Sequence, residues 1–194
     1  MRVKGTALLS RKHIVVRKLG DGAWQRLTQD MAQSHPFFAS PVVASSLIPL
    51  SAFLAFHDEL IRRFYRGNQK AYFELGEDSA RWALTEGPYK AFVASGDVAR
   101  FVESFPRLWD TYLLESTSWC KVELDGDVVE LQAFELPQWH PYFEYFIAGY
   151  LHGALELLCG EAVTMTALAG GGKQYHYRFR MPRRFGRVTA ISVR

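Results

Sequence analysis

The segment between Pro141 and Gly160 constrains the fold more than any other part of this sequence. Its apolar side chains recur every three or four residues, which predicts one long amphipathic helix over residues 141–159 with a glycine stop. Gly149 and Gly153 lie one turn apart beside the apolar stripe. Glycine inside a helix costs about 1 kcal/mol relative to alanine, so the pair predicts that a neighbouring helix, a partner subunit or a ligand approaches the backbone there. The stripe comprises Phe143, Phe146, Ile147, Tyr150, Leu151, Ala154 and Leu158.

The rest of the sequence divides into a helical region and two hairpins. Up to about residue 115 apolar residues recur mostly at helical spacing, whereas two later pairs of segments are strand-like. An Asp-Gly step at residues 125–126 and a glycine-rich turn over residues 169–172 join these pairs. We predict helices over residues 4–19, 21–32, 50–65, 70–84, 90–94 and 98–114, the last with a kink or break at Pro106, and strands over 118–124, 127–134, 162–168 and 174–181.

The order of these elements predicts an α+β fold. N-terminal helices are followed by a β-hairpin, the long helix and a second β-hairpin, so the four strands are expected to form one antiparallel sheet packed on the helices. With 48% hydrophobic and 22% charged residues, the composition fits a single domain over residues 1–194. We expect residues 1–115 to be mainly helical, 116–181 to form the hairpin–helix–hairpin, and 182–194 to be a basic tail, with an edge-strand pattern at 188–193.

Positive charge is concentrated at the C-terminal end. Residues 173–194 contain seven basic side chains and no acidic one. Such an end can bind phosphate, nucleic acid or an acidic partner, but it is also typical of a solvated strand edge, which is the interpretation we favour. Alternation places Tyr175 and Tyr177 on one face of the last strand and Arg178 and Arg180 on the other, whereas a base-stacking surface needs both on one face. No nucleic-acid partner is therefore predicted.

The sequence has no segment typical of a membrane span or a secretory signal. No run approaches the ~18 apolar residues of a spanning helix, and the first ten residues lack a sustained apolar stretch. We expect a cytoplasmic protein whose two cysteines, Cys120 and Cys159, are reduced thiols.

The residues with catalytic or metal-binding chemistry form no recognised motif. Cys120 lies on the apolar face of its strand, which is typical of a small buried hydrophobe; the alternative is a nucleophile, an acyl attachment point or a redox sensor. His140, Glu144 and His152 are too widely spaced on the long helix to converge on a metal ion. The glycine-rich turn lacks the first glycine and the final Ser or Thr of a phosphate-binding loop. We predict no catalytic residue, no metal and no cofactor.

The sequence resembles the 4-vinyl-reductase-type domains. The resemblance is carried by Ala148-Gly149-Tyr150-Leu151-His152-Gly153 with Leu155-Glu156 and Gly160, followed by a strand, a glycine-rich loop and a final strand. These domains belong to a superfamily that also contains the TRAPP vesicle-tethering subunits and the H-NOX haem sensors. Further matches to uncharacterised, mostly myxobacterial members are Val3-Lys4-Gly5, Leu19-Gly20 with Trp24, Leu75-Gly76 with Ser79-Ala80, and Pro106-Arg107-Leu108-Trp109.

This resemblance implies the fold and limits the ligands. Regulators with this domain bind zinc through cysteines in the final hairpin, H-NOX sensors bind haem with a Tyr-x-Ser-x-Arg motif, and TRAPP-type subunits hold an acyl chain beside the long helix. The sequence has no cysteine between Leu168 and Phe179 and no Tyr-x-Ser-x-Arg motif. The resemblance therefore implies an apolar ligand or an acyl chain, although the same residues are equally typical of a filled core.

We predict a non-enzymatic cytosolic signalling or adaptor domain that binds a small apolar ligand or acyl chain between the long helix and the sheet, and acts through a homodimer or another protein partner. One alternative is a dimeric interaction module without a ligand, marked by a sealed core and an exposed apolar patch at Leu8, Leu9 and Ile14. The other is an enzyme using Cys120 or His140. The predicted ligand-binding residues are Cys120, Val122, Phe143, Phe146, Ile147, Gly149, Tyr150 and Gly153.

Overall fold

A computed structural model describes residues 1–182 except residue 88, and the side chains of residues 94 and 95 are also outside the description. The tail strand expected at 188–193 and most of the basic tail lie outside the described residues.

The described elements confirm the α+β fold. In chain order they are β1 (Arg2–Lys4), α1 (Gly5–Leu19), α2 (Asp21–Ser34), a 3-10 turn (Pro36–Ala39), β2 (Leu47–Pro49), α3 (Leu50–Phe64), α4 (Lys70–Thr85), α5 (Lys90–Ser95), α6 (Val98–Tyr112), β3 (Leu113–Leu114), β4 (Trp119–Asp125), β5 (Val128–Phe134), a π-helical segment (Tyr142–Phe146), α7 (Ile147–Cys159), β6 (Thr164–Gly171) and β7 (Gln174–Arg180).

The two predicted hairpins form one antiparallel sheet in the order β4-β5-β7-β6. Strand β7 alternates as expected: Tyr175, Tyr177 and Phe179 are buried, whereas Arg178 and Arg180 are exposed. Because both arginines pair with acidic side chains on the outer face of the sheet, their charge is partly neutralised there. The sheet therefore has one apolar face against the helices and one solvated face.

The structure differs from the sequence-based prediction in three places. A second sheet, β2-β1-β3, was not predicted, because strands of two or three residues carry no readable periodicity. Helix α6 continues through Pro106, so the chain does not break there, and the alternative of a kink stays a prediction. The long helix begins as a π-helical segment rather than as α-helix. The small sheet β2-β1-β3 matters most for the site, because its β1–β3 pairing joins the start of α1 to the end of α6.

The glycines of α7 pack directly on the backbone of α4. A Cβ atom on Gly149 would overlap the carbonyl oxygen of Phe73, and one on Gly153 would lie 2.8 Å from the Cα of Glu77. The contact is reciprocal, because a Cβ on Gly76 of α4 would lie 2.7 Å from the amide nitrogen of Tyr150. The close approach predicted from the glycine pair is therefore made by a neighbouring helix.

Replacing Gly149 with alanine tests this crossing. A Cβ atom there forces two backbones apart, and overpacking of this kind costs about 1–3 kcal/mol, partly offset by the better helix propensity of alanine. We expect Gly149→Ala to lower the free energy of unfolding by about 1–2 kcal/mol in urea denaturation.

Gly22→Ala is the matched control, because Gly22 is an exposed helical glycine whose added Cβ would meet only the mobile end of Arg26. The control is expected to be neutral or slightly stabilising. Equal stability of Gly149→Ala and the wild type would contradict the proposed backbone contact.

Candidate ligand-binding cavity

A small cavity lies between the N-terminal helix and the long C-terminal helix. Its volume is about 100 Å³, and its walls are contributed by α1, α4, α6, the π-helical segment, α7 and the small sheet. Most of the lining is aliphatic or aromatic. The lining residues are Val3, Ala7, Ser10, Arg11, Ser79, Trp82, Ala83, Phe105, Leu108, Trp109, Tyr112, Leu113, Tyr142, Phe146, Ile147 and Tyr150.

The structure brings only part of the predicted ligand-binding set to this cavity. Phe146, Ile147 and Tyr150 line it. Gly149 and Gly153 contact α4 instead.

The other three predicted residues lie away from the cavity. Phe143 is buried at the edge of the Tyr142 ring, 5.7 Å between ring centroids. Cys120 and Val122 lie on β4, which packs along α6, and neither lines the cavity.

This cavity does not lie at the predicted position between the long helix and the sheet. Side chains already occupy the space on that side: the Tyr177 hydroxyl donates to the Glu144 carbonyl oxygen at 2.8 Å, and the Phe179 ring lies 6.5 Å from that of His152. The cavity lies on the opposite side of the helix, against α1 and α6. The sequence shows a single apolar stripe on the long helix, so it could not predict that two sides of this helix are buried.

The predicted exposed patch on the first helix is also corrected. Leu8 and Ile14 are buried and Leu9 is half-buried, so these side chains belong to the core. The feature expected of a purely structural dimerisation module is therefore absent from this part of the chain.

Arg11 is the residue that sequence reasoning missed. Its side chain is 2% exposed, and its guanidinium carbon lies 4.3 Å from the centroid of the Phe146 ring. Nη1 donates to the Leu75 carbonyl oxygen at 2.9 Å and Nη2 donates to the Ser10 hydroxyl at 3.3 Å, whereas Nε has no partner. Burial lowers the pKa of Arg11 to about 10, so it remains a cation at neutral pH.

The spacing of the apolar residues around Arg11 could have predicted that its side chain is buried. Arg11 falls three or four residues from Leu8, Ala7, Ile14 and Val15, on the face that α1 buries. An arginine at a core position of an amphipathic helix is rarely buried unless it is paired, which makes the position informative once the helix is recognised.

Three tyrosines line the same cavity as neutral phenols. Burial raises the pKa of Tyr142 to about 12 and raises the pKa of Tyr112 and Tyr150 further. The buried Tyr150 hydroxyl has no hydrogen-bond partner. Since the lining residues include no Asp or Glu, Arg11 is the only charged group among them.

His152 lies close to two carboxylates but does not have the geometry of a metal ligand. Glu77, His152 and Glu156 bring their ligand atoms within 4.8 Å of one another. His152 Nδ1, however, lies 2.8 Å from Glu77 Oε1, and its Nε2 lies 2.8 Å from the Val163 carbonyl oxygen. Both ring nitrogens face oxygen acceptors, whereas a metal needs a free lone pair on one of them. The cluster instead ties α4, α7 and the start of β6 together.

His140 is engaged in a structural network at the start of the long helix. Its Nδ1 accepts the amide N–H of Tyr142 at 3.0 Å, and its Nε2 lies 3.2 Å from Asp58, which also accepts the Tyr72 hydroxyl at 2.6 Å. Burial opposes ionisation of Asp58, but the hydrogen bonds from His140 and Tyr72 outweigh it and lower the pKa of the carboxyl. The network anchors the π-helical segment to α3 and α4.

Comparison with known proteins gives a fold but no family. The sequence matches no protein-family model and no curated protein. An H-NOX protein from S. oneidensis in the Fe(II)NO ligation state superposes with a TM-score of 0.68 at 14% identity, covering 92% of this chain and 99% of the other. An oxygen-binding H-NOX domain related to soluble guanylate cyclases gives 0.68 at 11% identity, covering 91% and 94%. The chain therefore has an H-NOX-like fold.

The likeness to 4-vinyl-reductase and TRAPP domains, and to myxobacterial members, stays a prediction.

In the described part of the chain, no helix has the length and hydrophobicity needed to cross a bilayer.

Cys120 offers a direct test of the thiol-enzyme alternative. Burial and the nearby charge of Asp110 raise the pKa of the thiol to about 12, and the thiolate is the reactive form. We expect native protein treated with iodoacetamide at pH 8 to remain unmodified at Cys120, as measured by peptide mass mapping, and to react once urea is added. Glutathione in the same tube controls for reagent activity, and rapid modification of Cys120 in the native state would restore this alternative.

His57 generates a pH dependence of stability. The ring is fully buried, and Nδ1 donates to the Phe53 carbonyl oxygen at 2.8 Å. Burial lowers the pKa of His57 to about 3, whereas the unfolded chain protonates near pH 6.5. The unfolded state therefore binds one more proton between these values, and stability is lost as the pH falls from about 6.5 towards 3.

His57→Leu removes this proton-binding difference. Below pH 6.5 we expect the variant's unfolding free energy to fall less steeply with acidification, by about 1.4 kcal/mol per pH unit relative to the wild type. Urea denaturation at pH 7.5, 6 and 5 measures this difference. Parallel pH profiles of the two proteins would show that His57 has the same pKa in the folded and unfolded states.

Proposed function

We propose that this chain is a non-enzymatic ligand-binding domain of a signalling system, and that a small, largely apolar molecule occupies the cavity between α1, α6 and α7. The observation that carries the proposal is the cavity itself, a largely apolar space between the N-terminal helices and the long helix. Concave apolar sites with a few polar groups are the usual form of small-molecule sites. The H-NOX-like fold supports a sensor, since the solved H-NOX structures include oxygen and Fe(II)NO complexes.

The cavity does not fit haem. Haem iron is held by His, Cys, Met or Tyr, and the lining residues include no His, Cys or Met. The three lining tyrosines are kept as neutral phenols by burial, whereas iron binds the phenolate. The volume of about 100 Å³ also lies well below the ~300–1,000 Å³ of sites for larger ligands. The proposed ligand is therefore bound by this chain without a haem group.

The volume narrows the ligand class. An engineered cavity of ~150 Å³ accommodates benzene, so a cavity of about 100 Å³ suits one ring or a short chain rather than a complete fatty acyl chain. Ligand occupancy would bias the packing of α1 and α6 against α7, and through them the surface offered to a second copy or another protein.

Filling the cavity tests the proposal. Ala83 lines the cavity from α4, so Ala83→Leu is expected to occupy the space that a ligand would use. Toluene at about ten times its Kd should raise the Tm of the wild type by about 3–6 °C and leave that of Ala83→Leu unchanged.

Ala99→Leu is the matched control, because Ala99 is an exposed residue of α6. It should respond to toluene as the wild type does. No toluene response in the wild type, or equal responses in the wild type and Ala83→Leu, would contradict ligand binding in this cavity. Native mass spectrometry of the purified protein, followed by a denaturing run, identifies any small molecule that co-purifies.

A further inference from the structure

The cavity contains a buried cation without a counter-ion. A guanidinium group has five N–H donors, and Arg11 uses two of them in hydrogen bonds to neutral oxygens, the Leu75 carbonyl and the Ser10 hydroxyl. No carboxylate lies within ion-pair distance of Arg11 in the described part of the chain. The nearby Asp78 is engaged by Lys18 at the surface.

Burying a charge in this way is unfavourable unless something compensates for it. Taking an ion out of water costs several kcal/mol even after relaxation, and a buried charge is normally paired. The Phe146 ring beneath the guanidinium offsets part of this cost by a cation–π contact. One ring and two neutral acceptors leave the charge only partly compensated, so an anion that reached the cavity would gain a strong partner.

The rest of the lining suits an anion with an apolar body. The three tyrosines are uncharged donors and do not repel it, and the unpartnered Tyr150 hydroxyl supplies a second donor in the same cavity. Phe105, Leu108 and Trp109 form an apolar wall from α6. A cation in one wall and apolar side chains in the others match a molecule that is charged at one end only.

We propose that the natural ligand is a small organic carboxylate, aromatic or short-chain aliphatic, whose carboxylate binds Arg11 and whose apolar part contacts the aromatic walls. This inference rests on the proposed function of the cavity and adds the chemical class of its ligand. Arginine is suited to the role because its planar fork binds both oxygens of a carboxylate in charge-assisted hydrogen bonds.

The test compares probes that share a shape and differ in charge. Benzoate, its neutral analogue benzamide, and toluene are titrated into the full chain at pH 7.5 by calorimetry, with hexanoate as the aliphatic carboxylate. We expect benzoate to bind about tenfold or more tightly than benzamide, the ratio that one charge-assisted hydrogen bond supplies. Tighter binding of hexanoate than of benzoate assigns the ligand to the aliphatic class, and the reverse order assigns it to the aromatic class.

Two Arg11 variants separate recognition from folding. Arg11→Met keeps a long side chain in the core and removes the charge, so it should lose about tenfold or more in benzoate affinity while toluene affinity stays within about twofold. Arg11→Lys keeps the charge without the bidentate fork and should retain part of the benzoate preference. Arg11→Met removes a partly compensated buried charge but also the hydrogen bonds to Leu75 and Ser10. Because these two effects oppose each other, the melting temperature of the unliganded variant should stay within a few degrees of that of the wild type, in either direction.

The outcomes separate this inference from the proposed function. Toluene binding with equal affinities for benzoate and benzamide would overturn the carboxylate inference and leave the cavity as an apolar site. Absence of binding by all four probes would overturn both. Equal stabilisation by sulfate and by benzoate, each lost in Arg11→Met, would identify a general anion site and also overturn the inference.

Discussion

The backbone contact between α4 and α7 is the constraint on which the rest of this structure depends. Three glycines let the two helices approach until backbone atoms touch, and this contact fixes α7 along its length. Its two sides then receive different neighbours. One side meets the buried aromatic row of β7, and the other meets α1 and α6, where the cavity lies. The glycines therefore act on the site indirectly, by positioning the residues between them.

Burial in the core affects the charge of different ionisable side chains in different ways. Burial lowers the pKa of His57 and raises the pKa of Cys120, which favours the neutral form of both side chains at physiological pH. Arg11 is also buried, but its intrinsic basicity keeps it charged. Arg11 is therefore the one charged side chain among the residues that line the cavity.

Much of the fold could be predicted from the sequence, because its signals are periodic. The helices from α1 to α7 and the strands β4–β7 lie within a few residues of their predicted positions, since amphipathic spacing and the Asp-Gly and glycine-rich turns mark them. The strands of the small sheet were not predictable, because Leu113–Leu114 continues the helical pattern of α6. The site could be predicted only in part: Phe146, Ile147 and Tyr150 follow from the stripe of α7, whereas the role of Arg11 depends on helices distant in sequence.

The small sheet has a mechanical consequence for the cavity. Helices α4 and α7 line the cavity with their backbones in contact, whereas α1 and α6 contribute the lining residues that face them. Strand β1 leads into α1, strand β3 follows α6, and the two strands pair at Arg2↔Leu114 and Val3↔Leu113. A displacement of either helix is therefore transmitted to the other through this pairing. The part of the cavity wall contributed by α1 and α6 is thus tied together by the small sheet, whereas the part contributed by α4 and α7 is held by a direct backbone contact.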